Sequence, residues 1–226
     1  TVSAPAREEL SERLNIDPSK IEVMVPLAVP APRGNPSQAE LEHVRRKYAL
    51  PEHFILMIGT VEPRHNHQAV FAALADAASP AGVVVCGRRT AWSDYLLGYA
   101  RARRIAARVD FIYELTPSDL PALFRLARVF AYLPDADAEA SVVPVVEALR
   151  AGLPMVLSDT QVNREAAGEA AAYVRPEARG EVLAALENAL EDVSWRRTMQ
   201  ERERRRAELF SEYAVAERLM QIYTSL

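Results

Sequence analysis

The sequence predicts an α/β domain built on a doubly wound parallel sheet, and three observations carry that expectation. First, Phe54-Ile-Leu-Met-Ile58, Gly82-Val-Val-Val-Cys86 and Val129-Phe-Ala-Tyr-Leu133 are continuous apolar runs without the alternation of a half-solvated strand. Such runs suit strands covered on both faces. Second, segments of helical composition separate them at a regular pitch, the alternation that builds parallel sheets. Third, the runs give way to Gly59, Gly87, Tyr113 and the loop holding Glu139 along one edge. In open α/β sheets ligands bind at that edge.

Taken in order, residues 5–15 form a polar helix candidate with Ser3 as N-cap. Asp17-Pro-Ser reads as a turn and Ile21-Glu-Val-Met-Val25 as an alternating strand. Pro26, Pro30, Pro32, Gly34 and Pro36 then describe an extended linker. The expected organisation is therefore an interdomain-type segment over 1–36 and one domain over 37–226. Within the domain, helices are expected at Glu40–Lys47, Gln68–Ala78, Tyr95–Arg104, Pro117–Leu126 and Glu181–Glu191. Val109–Ile112, Met155–Leu157 and Ala170–Val174 complete six strands, and a helical charged segment runs from Trp195 to the end. Its arginines, Arg196, Arg197 and Arg204 to Arg206, are interleaved with glutamates and read as a solvated helix face laced with ion pairs.

Composition narrows the function classes. Half of the 226 residues are hydrophobic and 26% charged, ordinary for a globular chain. A net charge of -4 argues against general nucleic-acid binding, so no nucleic acid is expected as partner. The lone Cys86 excludes an internal disulfide and reads as a buried strand residue rather than a reactive thiol. No run approaches the length of a membrane span and no signal peptide is visible, so the expectation is a cytoplasmic protein. Peripheral attachment to the inner membrane stays open for a longer protein, since a chain starting Thr-Val-Ser reads as part of one.

The most informative stretch is Glu139-Ala-Ser-Val-Val-Pro-Val-Val-Glu147, followed by Ala-Leu-Arg-Ala-Gly-Leu-Pro154. Pro144 suits the start of a helix, and Gly152 with Pro154 suits its end. Glu139 would then lie in a loop and Glu147 in the first turn or just past it. Both could face a ligand over the helix N-terminus, where free N–H groups favour phosphate. By spacing alone the alternative is a strand–helix–strand unit with two solvated glutamates.

The order of residues resembles the signature of family-four-type retaining glycosyltransferases of the GT-B fold, typically Glu-Gly-Phe-Gly-Leu-Pro-x-x-Glu-Ala. Glu139, Pro144, Glu147, Ala148, Gly152 and Pro154 are kept, while Ala140, Ser141 and Val142 replace the small-aromatic-small run. Gly59-Thr-Val-Glu-Pro-Arg-His-Asn66 likewise resembles the family's Gly-Thr-x-Glu-Pro-Arg-Lys-Asn, with His65 in place of lysine. The resemblance covers nearly the whole chain but only the second, donor-binding half of such an enzyme, a Rossmann-like half of a GT-B fold. It implies a nucleotide-diphosphate sugar, of the GDP-mannose type by the Glu-Pro-Arg-x-Asn form, lying across the strand ends. The acceptor, a glycan or lipid-linked glycan, would bind a missing N-terminal domain.

The roles implied are these. Arg64 and His65 would hold the diphosphate and offset charge on the leaving group, and Glu139 would contact the donor sugar; these three are the catalytic candidates. Glu147 would accept from the ribose hydroxyls, and Gly59, Gly87, Tyr113, Ser141, Val142 and Val143 would complete the donor site. No metal and no cofactor is implied beyond the nucleotide sugar as substrate, which agrees with the dispersal of His43, His53, His65 and His67. Two departures favour the alternative of a non-catalytic scaffold or partner-binding relative. Val142 takes a positive φ only with penalty, and His65 lacks lysine's permanent charge.

Overall fold

The computed structural model describes residues 1–24, 35–135 and 142–225. At its centre is a parallel sheet of β1 (Phe54–Ile58), β2 (Gly82–Cys86), β3 (Val109–Ile112), β4 (Val129–Tyr132), β5 (Met155–Ser158) and β6 (Ala172–Val174). The spatial order is β3-β2-β1-β4-β5-β6, every neighbouring pair parallel. The chain winds outward from β1 to β3, then returns and winds the other way from β4, as the sequence pattern predicts. The reversal leaves a crevice between the carboxyl ends of β1 and β4.

Because successive strand residues point to opposite faces, the continuous apolar runs supply two cores at once. Phe54, Leu56, Val84, Phe130, Tyr132, Met155 and Leu157 pack on one face. They meet α2 (Gln38–Lys47), α5 (Leu120–Leu126), α6 (Val143–Ala151) and α7 (Gln161–Ala167) there. Ile55, Met57, Val83, Val85, Val129 and Val156 pack on the other, under α3 (His67–Asp76), α4 (Ala91–Ala102) and α8 (Arg179–Glu191). Burying Phe54, Ile55 and Leu56 completely contributes about 1.5–3 kcal/mol each. Cys86 is buried in β2, and burial pushes its thiol up to about 11, away from reactivity.

Helix ends follow local chemistry. Ser3 caps α1 (Ala4–Leu14), accepting from the Ala6 amide, and Ser37 with Glu40 forms a capping box on α2. α6 ends at Gly152, whose φ of 63° lets the Leu153 amide reach back to the Ala148 carbonyl at 3.1 Å.

Four expectations are corrected. Ile21–Met24 is not a strand: the Ile21 amide bonds the Pro18 carbonyl at 3.1 Å, closing the preceding turn, and the only long-range backbone partner among the described residues is Thr1, through its ammonium to the Glu22 carbonyl and the Met24 amide to its carbonyl, each 2.7 Å. One partner residue cannot build a ladder; Val25 and the linker to Gly34 lie outside the described residues. α4 starts at Ala91, earlier than Tyr95, because Thr90 and Ser93 cap it reciprocally. The final helical segment is broken into α9 (Val193–Ala207), a 3-10 turn and α10 (Glu212–Ser225). The charged face is also less solvated than its composition implies. Arg197 and Glu201 pair at 3.7 Å, yet Arg196 is buried on the Ala189 and Leu190 carbonyls and Glu203 is wholly buried.

Candidate functional site

Gly59 and Gly87 follow directly from how closely the chain passes itself at the strand ends. The Gly59 amide bonds the Cys86 carbonyl at 3.0 Å and Gly59 holds φ 141°. A Cβ on Gly87 would lie 1.8 Å from the Gly59 carbonyl oxygen, so no other residue fits without parting the strands. Tyr113 lies one residue beyond β3, stacked on Phe111 at 5.6 Å with the Arg89 guanidinium 5.7 Å from its ring centroid. Gly59, Gly87 and Tyr113 therefore step outward along three neighbouring strand ends, roughly 10 Å in all at the usual strand spacing.

The loop after β1 turns through a 3-10 turn at Pro63–His65 into α3. Arg64 is half-exposed, its Nε 2.7 Å from a Glu62 carboxylate oxygen. His65 is buried at 6% exposure, its ring packed 3.4 Å from where a Gly59 Cβ would be, which glycine leaves open. Its Nδ1 is 2.6 Å from the Thr60 carbonyl. A carbonyl only accepts, so the proton of the neutral ring sits on Nδ1. The His65 ring is 6.4 Å from Tyr132 of β4 and 6.0 Å from His67, so the loop leans over the crevice. His67 is 1% exposed and its Nδ1 has no partner; burial, and then the neighbouring His65, pushes it down to about 4. His67 is therefore a neutral core residue at physiological pH.

On the other side of the crevice, β4 leads into α6. Val142 and Val143 open that helix. Val142 has φ -97° and is buried, so this position does not use the positive φ that was expected to penalise valine. Pro144 stands one residue inside the helix start, within the first turn as expected. Glu147 lies just past that turn. Burial raises its carboxyl to about 7, with Arg150 one turn on opposing the shift. Glu139 and Ser141 lie outside the described residues.

The structure thus puts Gly59, Arg64 and His65 on the loop after β1, and Val142, Val143 and Glu147 at the start of the helix that follows β4, the neighbouring strand, with Gly87 and Tyr113 continuing the same edge. The sequence reading gave no role to Asn66, although the motif contains it. Its side chain crosses to the β4 end, bonding the Leu133 carbonyl at 2.9 Å and Asp135 at 2.6 Å. Among the described residues no group of three His, Cys, Asp or Glu could hold a metal, and no helix is long and apolar enough to cross a membrane.

Comparison with known proteins fits this geometry. The family model described as glycosyl transferases group 1 matches residues 40–206. The chain is 29% identical over 217 residues to the O-antigen chain mannosyltransferase B of Escherichia coli, covering 93% of this chain and 56% of that protein. It is 24% identical over 192 residues to the O-antigen chain mannosyltransferase RfbU of Salmonella typhimurium, covering 83% and 49%. The chain thus spans about half the length of these two relatives. Its fold matches a glycosyltransferase from Rickettsia africae with a TM-score of 0.85 at 17% identity, over 99% of this chain and 62% of that one. It also matches Anabaena HepE, solved in complex with UDP and glucose, with a TM-score of 0.83 at 15% identity, over 100% and 62%. A six-stranded parallel sheet in this order, with the family match across most of its length, identifies the chain as a member of the group 1 glycosyl transferases, of the GT-B fold.

Proposed function

We propose that residues 37–226 form the donor-binding half of a retaining glycosyltransferase, joined through residues 1–36 to a domain that holds a glycan or lipid-linked glycan acceptor. The observation that supports this reading is that the loop bearing Arg64 and His65 follows β1 and the helix bearing Glu147 follows β4, the two strands that flank the sheet's switch point. Ligands of open α/β sheets bind at such a point. A nucleotide-diphosphate sugar would lie along the edge, its base towards Tyr113 and its ribose hydroxyls donating to Glu147. Its diphosphate would lie between the Arg64–His65 turn and the start of α6. Catalysis is then electrostatic: Arg64 and an N–H of His65 stabilise the departing nucleoside diphosphate, Glu139 contacts the sugar, and the anomeric configuration is retained. The residues need no metal for this, since the stabilising groups are side chains. Two relatives named as O-antigen mannosyltransferases support mannose as the transferred sugar and surface polysaccharide synthesis as the setting, and GDP-mannose is the donor type that the Glu-Pro-Arg-x-Asn form implies.

Titration calorimetry with GDP, UDP and GDP-mannose tests the reading. GDP should bind, and Arg64→Ala should weaken it about tenfold, the loss of a charge-assisted hydrogen bond, with an unchanged thermal midpoint because Arg64 is half-exposed. Absence of binding by any of the three ligands would refute a donor site. Binding without transfer in the full-length protein would instead favour the non-catalytic alternative, to which the exchange of lysine for His65 points.

A further inference from the structure

One side chain joins the two sides of the crevice. Asn66 carries two N–H groups on Nδ2; one donates to the Leu133 carbonyl at 2.9 Å and the other to a carboxylate oxygen of Asp135 at 2.6 Å. The Asp135 amide returns a bond to the Arg64 carbonyl at 2.9 Å. Three hydrogen bonds, one with a charged acceptor, thus connect residues 64–66 after β1 with residues 133–135 after β4.

Two further facts separate this from ordinary helix capping. Asn66 occupies the N-cap position of α3, where an asparagine oxygen normally accepts from the helix, yet it makes no side-chain capping bond. Its donors are committed across the crevice instead. Its φ of 51° is in the left-handed region, which asparagine tolerates better than most residues. Aspartate here would set oxygens against the Leu133 carbonyl and the Asp135 carboxylate, and alanine would lose both bonds and strain the backbone.

We propose that Asn66 is a positioning residue for glycosyl transfer: through Leu133 and Asp135 it sets the segment leaving β4 against the Arg64–His65 turn and so fixes the width of the crevice. This rests on the donor-site reading above. Binding of GDP tolerates a small change in that width, because its contacts only lengthen slightly, whereas transfer does not, because misplacement of reacting groups by about 1 Å costs about a hundredfold in rate.

The test uses the full-length enzyme with Asn66→Gly, which keeps the positive φ and removes the amide, with Asp135→Ala, and with the double variant. The expected result is a GDP dissociation constant within about threefold of the parent and a kcat for GDP-mannose reduced about tenfold or more in each single variant. The double variant should lose little more than either single one, since groups acting as one unit are not additive. Without ligand, hydrogen exchange at the Asp135 amide should be faster in Asn66→Gly than in the parent. A merely structural role would lower the thermal midpoint and scale GDP binding and turnover together. Unchanged kcat in Asn66→Gly, parallel loss of GDP affinity and kcat, or unaltered exchange at Asp135 would each overturn the proposal. If the parent bound neither GDP-mannose nor UDP-glucose, the donor-site reading would fall instead, and exchange at Asp135 would still decide whether the clamp exists.

Discussion

Glu203 should make the chain less stable as pH rises, and the size of the effect can be worked from its surroundings. Its side chain is 0% exposed and neither carboxylate oxygen has a hydrogen-bond partner. Burial pushes its carboxyl up to about 8 from 4.5, with Arg204 opposing the shift only in part. The native state therefore holds a proton that the unfolded chain has released at any pH between those two values. Stability is fully present below about 4.5 and is lost as pH climbs towards 8. At about 1.4 kcal/mol per unit, the loss from about pH 5 to about pH 8 is on the order of 3 kcal/mol. For a chain of this length that is roughly 6–12 °C in Tm. His67, pushed down to about 4, acts in the opposite sense below its ordinary 6.5, so parent and variant must be compared at each pH. Glu203→Gln keeps the shape and cannot ionise. Urea unfolding followed by circular dichroism at about pH 5, 6.5 and 8 should show the variant gaining on the parent at each step, with unchanged m. Parallel profiles for the two proteins would mean that Glu203 is ionised in the native state, and the burial argument would fail.

Three other outcomes are expected. With Glu147 poised at about 7 by burial, GDP affinity should rise with pH as the carboxylate forms, about tenfold between about pH 6 and about pH 8; Glu147→Gln should remove that rise, and calorimetry showing it intact would detach Glu147 from the ribose. His65→Lys should tighten GDP binding several-fold, because a permanent cation replaces the imidazole beside the diphosphate; equal affinity in parent, His65→Lys and His65→Gln would place His65 outside the phosphate site. Gly87→Ala should destabilise the chain by about 2 kcal/mol or more, since a new methyl cannot share space with the Gly59 carbonyl; an unshifted urea midpoint would contradict the close approach.

What could be read from the sequence was what local pattern controls. The six strands were legible because covering both faces demands unbroken apolar runs, and Gly152 because a helix end needs its left-handed φ. Ile21–Met24 misled because alternation reports one buried face, not the presence of a partner strand. The start of α4 was hidden by a capping box closed with Ser93 rather than the usual Glu or Gln. Glu203 stands among six charged residues, Glu201 to Arg206, and nothing in that run says which carboxylate turns inward. At the site, Arg64, His65 and Glu147 were legible as a motif. Asn66 was not assigned because its partners, Leu133 and Asp135, are 67 and 69 residues away and meet it only once the sheet is wound.

The outermost strands bear on how the chain behaves in concentrated solution. Among the described residues β3 and β6 each have a strand neighbour on one side only, and the other side is a template on which another molecule could add a strand. β6 is only three residues long, too short to recruit a partner with much affinity. β3 has four residues and carries the solvent-facing carboxylate of Asp110 in its middle, so a second copy docking there in register would bring like charges together. The sheet thus carries its own gatekeepers at both margins, and edge-to-edge polymerisation is discouraged even though the strands between them are among the most apolar segments of the chain.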